Sequence, residues 1–207
     1  IANVAGSSLS DYEKICARLD GLVDLIELNI SCPNVKCGGM AFGIRPESVK
    51  EVTRVSKGAL KKTPLIVKLS PNVESIAVNA LAAQEGGADA VSLVNTFTGM
   101  VIDIERRRPL IANNTGGVSG AGIMPIAVRM THEVCSAVTV PVIGMGGITC
   151  AEDALQFIIA GASAVQVGTA NFTDTLAMPK IIAGLNAWLD GHGIGNINEL
   201  RGTLKLN

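Results

Sequence analysis

The sequence predicts an α/β fold of the (β/α)8 barrel class, with strands three to eight present and the first two strands missing. Three observations carry that prediction. Six short apolar runs, "IANVA", "DLIELNI", "PLIVKLS", "DAVSLVN", "VPVIGMG" and "SAVQVGT", alternate with amphipathic helical stretches, and their near-continuous hydrophobicity suits parallel strands covered on both faces. Glycine-rich turns follow the last two runs, at Gly144 to Gly147 and around Gly168, where a barrel binds phosphate on backbone N–H groups. An open dinucleotide-binding sheet would instead place GxGxxG after its first strand, with an acidic residue about 20 positions on; the sequence has neither. With "SAVQVGT" as strand eight, counting back makes "IANVA" strand three, so residues 1–207 read as one N-terminally incomplete barrel domain.

The helices between these runs have readable starts. Ser10 with Glu13, and Thr149 with Glu152, have the spacing of capping boxes, and Pro46 suits a first helical turn. Residues 100–118 are too many for an ordinary strand-to-helix loop, and "MVIDI" and "PLIAN" could pair as a small hairpin over the barrel mouth. Long loops in compact domains tend to be functional.

Composition narrows the function classes. The 207 residues are 48% hydrophobic and 17% charged with a net charge of −1, which suits one soluble domain with a large core. No basic stripe with interleaved aromatics exists for nucleic acid, and Arg106, Arg107 and Arg108 read as a solvated loop. Mean hydropathy is high at +0.40, yet no run of about 18 apolar residues exists to span a bilayer. Cys16, Cys32, Cys37, Cys135 and Cys150 are odd in number and irregularly spaced, which argues against a disulfide framework and for a reducing, cytoplasmic setting. No signal peptide is evident.

Reactive groups of a barrel sit at the C-terminal ends of its strands. Here those ends present Asn3, Asn29, Cys32, Asn34, Lys68, Asn95 and Thr96. Each carboxamide offers two donors and two acceptor lone pairs, so the set suits a flat, multiply hydrogen-bonding ligand. A single asparagine at a strand end is often a turn former; three strand ends carrying asparagine weaken that reading. Lys68 interrupts an apolar strand, and either snorkels from the core or, as we prefer, reaches an anionic group at the barrel mouth. Cys32 and Cys37 lack a second pair at ligand spacing, so no metal is expected. Cys16, Cys135 and Cys150 read as buried filler. Histidine-based nucleophilic chemistry is disfavoured, because His132 falls in a helical pattern and His192 in a glycine-rich tail.

At these residues the chain resembles the class 1 dihydroorotate dehydrogenases, flavin enzymes of pyrimidine synthesis. The resemblance runs through "IANVAG", "ELNISCPNVKCGGMAFG", "VKLSPN", "NTFTGM", "NTGGVSG", "GMGGI" and "VGTANF", in order and across essentially the whole chain. "CPNVK" followed by a glycine pair is more like the class 1B branch, whose catalytic subunit passes electrons to an NAD-linked partner, than the fumarate-using class 1A. The resemblance implies that Asn3, Asn29, Lys68, Val94, Gly120, Gly146, Gly147, Gly168 and Thr169 hold FMN. It implies that Asn29, Asn34, Asn95 and Thr96 hold the pyrimidine, dihydroorotate or orotate, and that Cys32 is the catalytic base. It further implies a homodimer joined to an electron-transfer subunit with FAD and a [2Fe-2S] cluster. The competing readings are a fumarate-linked class 1A enzyme, another FMN barrel such as a domain of dihydropyrimidine dehydrogenase, and an inactive barrel fragment.

Overall fold

Each of the six apolar runs forms a strand, and the six lie side by side, all parallel, in chain order. The computed structural model describes residues 1–30 and 39–207. Its elements run β1 (Ala2–Val4), α1 (Leu9–Leu19), β2 (Ile26–Asn29), α2 (Gly39–Ile44), α3 (Pro46–Gly58), β3 (Leu65–Lys68), α4 (Ile76–Glu85) and β4 (Ala90–Leu93). There follow β5 (Phe97–Gly99), β6 (Ile102–Asp103), β7 (Arg108–Pro109) and β8 (Gly116–Val118). The chain closes with α5 (Met124–Ala137), β9 (Val142–Met145), α6 (Ala151–Ile159), β10 (Ala164–Gln166), α7 (Ala170–Thr173) and α8 (Ala177–Gly191). The sheet order is β1-β2-β3-β4-β9-β10. Because parallel crossovers are right-handed, an order that never reverses puts every crossover helix on the same face.

Alternation along the strands gives the two faces different chemistry. Ile26 and Leu28, Leu65 and Val67, and Val91 and Leu93 are all 0% exposed, and they join one core with Val52 of α3, Ala80 of α4, Val134 of α5 and Phe157 of α6. Gly144 on β9 is part of that fit, since a Cβ there would fall 2.5 Å from Phe157 Cδ1. The register puts the intervening residues on the inner face: Asn3 beside Glu27, Asn29 beside Lys68, Lys68 beside Ser92, and Met145 beside Gln166. Glu27 Oε2 accepts from Gln166 Nε2 at 3.0 Å, although three strands separate β2 from β10. A flat sheet would hold those strands about 19 Å apart. The sheet is therefore curled, as a part of a barrel must be.

The helix starts shift from the expected boxes. Ser8, not Ser10, caps α1: Ser8 Oγ accepts from Asp11 N at 3.2 Å and Asp11 Oδ2 accepts from Ser8 N at 3.0 Å. Cys150 rather than Thr149 is the cap of α6, and Asp153 rather than Glu152 closes the box by accepting from Thr149 N, Thr149 Oγ1 and Cys150 N. In both cases an aspartate at the third helical position accepts from the N–H groups at and just before the cap, Ser7 and Ser8 in α1 and Thr149 and Cys150 in α6. Pro46 opens α3 as expected.

Within residues 97–118, β6 and β7 pair Ile102 with Pro109 and Asp103 with Arg108, a shorter hairpin than the sequence pattern allowed. An outer ladder of β5 with β8 braces it and had no counterpart in the sequence reading. Asn72 anchors this excursion to the loop after β3, donating to Thr96 O at 2.9 Å and accepting from Thr98 N at 3.0 Å. Cys16 is buried, whereas Cys135 and Cys150 are only half-buried, so filler describes the first better than the others. Burial pushes the Cys16 and Cys135 thiols up to about 11, partly opposed by Ser56 and Arg201 respectively. No helix among the described residues is long and apolar enough to cross a membrane.

Candidate functional site

The inner face opens, at the C-terminal ends of the strands, into a cavity of about 660 Å³, a size typical of small-molecule and cofactor sites. Lys68 enters from β3, Val94, Asn95 and Thr96 follow β4, and Gly120 precedes α5. Gly146 and Gly147 follow β9, and Gly168 and Thr169 follow β10. Nine residues singled out in the sequence thus meet on one surface.

In the loop after β9 the backbone requires both glycines. Gly147 has φ of +77°, and a Cβ there would lie 2.8 Å from Gly120 O and from Met124 Cβ. Gly146, with φ of +131°, would meet Ala127 Cβ at 2.9 Å. Both conformations exclude ordinary side chains. At Gly168 nothing lies within 4 Å of a built Cβ, so that position borders open cavity. Asn171 Nδ2 binds the carbonyls of Val167 and Gly168 at 2.9 and 3.1 Å. The N–H groups of Gly147, Gly168 and Thr169 donate to none of the described residues, which leaves three donors at one end of the cavity. Such clustered N–H groups suit an anion. Thr169 Oγ1 also donates to Ser119 Oγ at 2.8 Å, tying the loop after β10 to the approach of α5.

On β3, two strands from the β9 loop, Lys68 makes no ion pair with the described residues, so its ammonium is available to an anionic or electron-rich ligand. Asn95 Nδ2 donates to Asn29 Oδ1 at 3.2 Å, and Asn95 Oδ1 accepts from Thr96 N at 2.8 Å. Tyr12 donates to the Asn29 carbonyl at 3.1 Å and fixes the end of β2. Neither Asn3 nor Asn29 lines the cavity: Asn29 is joined to it through Asn95, and Asn3, among the described residues, through Glu27, to which its Nδ2 donates at 2.9 Å. Cys32 and Asn34 lie outside the described residues. No group of three His, Cys, Asp or Glu among the described residues could hold a metal ion.

The dihydroorotate dehydrogenase family model matches residues 1–189. The chain belongs to the dihydroorotate dehydrogenase family. It is 52% identical to a protein of Bacteroides fragilis named dihydroorotate dehydrogenase B (NAD(+)), catalytic subunit, across all of this chain and 68% of the relative. Proteins of the same name from Bacteroides thetaiotaomicron and Alkaliphilus metalliredigens are 51% and 52% identical, across 100% and 99% of this chain and 68% of each relative.

This member of the dihydroorotate dehydrogenase family carries inner-face residues that the sequence reading passed over. Gln166 lines the cavity and Glu27 lies beneath it, 5% exposed. The signal was present: each is a polar residue inside an apolar strand, as Lys68 is. Ser119 and Asn171 also line the cavity; they stand inside "NTGGVSG" and "VGTANF", beside the glycines that were singled out there.

Proposed function

We propose that residues 1–207 form a single FMN-holding domain that oxidises dihydroorotate to orotate in de novo pyrimidine biosynthesis, in the cytoplasm, as the catalytic part of an NAD-linked enzyme. The observation that carries this reading is the single cavity in which Lys68, Asn95 and four glycines meet, in a chain of this family. FMN fits the donor set: the N–H groups of Gly147, Gly168 and Thr169 suit its phosphate, and Gly168, with nothing within 4 Å of where a Cβ would stand, leaves room for it. Lys68 lines the cavity from β3, two strands from the β9 loop, where its positive charge favours an anionic reduced ring.

When bound, FMN supplies the hydride acceptor. Dihydroorotate loses a hydride from C6 and a proton from C5, so the protein must provide a base. We assign that base to Cys32, three residues beyond Asn29 at the end of β2. A thiol has an unperturbed pKa of about 8.5, so modest tuning makes it a competent base near neutrality. Asn29, Asn95 and Thr96 already form one hydrogen-bonded cluster at the strand ends; with Asn34 they are assigned to the pyrimidine. Asn3 is assigned to the flavin through its place on the inner face beside Glu27.

Electrons then leave through a partner subunit with FAD and a [2Fe-2S] cluster, in a heterotetramer built on a homodimer of this chain. The chain lacks both the clustered cysteines of such a cluster and a dinucleotide fingerprint. The reading is tested by mixing the FMN-loaded protein with dihydroorotate without oxygen and following flavin absorbance. Rapid bleaching is expected, with little NADH formed from NAD until the partner is added. No bleaching would sink the reading, and rapid turnover with fumarate by the isolated protein would overturn the NAD-linked part alone.

A further inference from the structure

Glu27 has no role in the assignments above, yet it is the hub of the inner face. Its carboxylate is buried, 5% exposed, at the middle of β2. Oε1 accepts from Asn3 Nδ2 at 2.9 Å, and Oε2 accepts from Ser92 Oγ at 2.9 Å and Gln166 Nε2 at 3.0 Å. A buried carboxylate without such donors is costly, by several kcal/mol on the scale for uncompensated charges; three donors from three other strands satisfy it. Among the described residues no ion pair joins Glu27, and the donors that meet its carboxylate there are neutral dipoles.

The chemical consequence lies in the direction of those bonds. An ionised carboxylate only accepts, whereas a carboxamide can donate or accept depending on which way it is turned. Gln166 must therefore present its NH₂ to Glu27 and keep its carbonyl oxygen for the cavity that it lines. We infer that Glu27 is a positioning residue that fixes the amide sense of Gln166, so that the cavity meets a hydrogen-bond acceptor selective for a ligand ring bearing an N–H. Asn3 and Ser92 hold the carboxylate in register for this task. Oxidised flavin brings such a group, its one ring N–H at N3, so the inference rests on the flavin reading for its ligand but not for its geometry.

The test combines Glu27→Gln, Gln166→Leu and the double variant. Glu27→Gln keeps volume but replaces one acceptor by a donor, so the Gln166 amide is no longer held to one sense by a partner that can only accept. FMN binding, read by quenching of flavin fluorescence, should weaken about five- to tenfold in each single variant, the size of one net hydrogen bond. The double variant should be no weaker than the weaker single, because both changes remove the same contact. Additive losses, or wild-type affinity in Gln166→Leu, would overturn the inference, and the second result needs no folded Glu27→Gln. A readout independent of flavin is the side-chain amide signal of Gln166 in ¹⁵N spectra. In the wild type its protons should be shifted and slow to exchange, and in Glu27→Gln they should return towards free values. If the wild type takes up no FMN, the flavin reading fails and these signals alone decide the role of Glu27, with an unprotected wild-type amide contradicting it.

Discussion

On the helix side of the sheet Leu28, Leu65, Val67 and Leu93 are fully buried against apolar helices, whereas on the inner side the residues alternating with them include Glu27, Asn29, Lys68 and Ser92. The same strands thus serve two purposes one residue apart. The outer face is non-directional and tolerates exchange among apolar residues of similar volume. The inner face is directional: each of Glu27, Asn29 and Asn95 has a specified donor or acceptor. Apolar burial is therefore concentrated on one face and the proposed ligand recognition on the other, and a one-residue slip in register would exchange them.

That division can be broken by perturbing each side. The largest effect is expected for Cys32→Ala, which should leave the melting temperature and FMN content unchanged. Flavin reduction by dihydroorotate should slow by about 10²- to 10⁴-fold, as for loss of a general base; stopped-flow bleaching at the wild-type rate would remove Cys32 from the chemistry. On the outer face, Leu65→Ala should cost about 2–5 kcal/mol of stability, as for other buried leucines. Denaturant unfolding measures it, and any residual folded protein should bind FMN normally.

Two inner-face changes sharpen the contrast. Gly168→Asp introduces a carboxylate where a Cβ meets nothing; it should leave the unfolding midpoint within error and weaken FMN binding at least about tenfold through like-charge repulsion. Gly147→Asp would blur the test, since its strained φ and the contact with Gly120 O would harm the fold as well. Lys68→Met should likewise leave stability nearly unchanged while weakening FMN binding by about tenfold, equivalent to one charge-assisted contact. Equal loss of stability in Lys68→Met and Leu65→Ala would erase the distinction between the faces.

The smallest effect belongs to the loop that leads into β3. Asp20 accepts from the N–H groups of Thr63, Lys62 and Lys61 at 2.9, 2.9 and 3.0 Å. Those bonds, the ones from Thr63 and Lys62 foremost, hold its carboxyl down to about 2 against an ordinary 3.8. A depressed folded value means a stabilising contribution that is complete above the ordinary value and lost as pH falls from about 4 towards 2. Asp20→Asn should therefore flatten the acid limb of a plot of unfolding midpoint against pH without changing FMN affinity.

The strands were legible because each is a short apolar run between glycine and helix signals, and the cavity because its glycines and Lys68 stand out against that background. The helix caps were misplaced by one or two residues because Ser8, Ser10, Thr149 and Cys150 compete locally, and only the backbone decides which of them an aspartate can bridge. Glu27 and Gln166 were missed for a different reason. Their partners lie 139 residues apart in the chain, and that contact exists only once the sheet has curled. Like Lys68, each interrupts an apolar strand with a polar residue, but the neighbours that satisfy Glu27 are ones the sequence does not bring near it.

The central claim, that the inner face and its glycine loops form a flavin site, is tested most directly by titrating FMN into the wild-type protein and into Gly168→Asp, following flavin fluorescence and recording the unfolding midpoint of each. The account predicts saturable one-to-one quenching in the wild type and at least about tenfold weaker binding in the variant, at an unchanged midpoint. Equal affinity in the two proteins would contradict it.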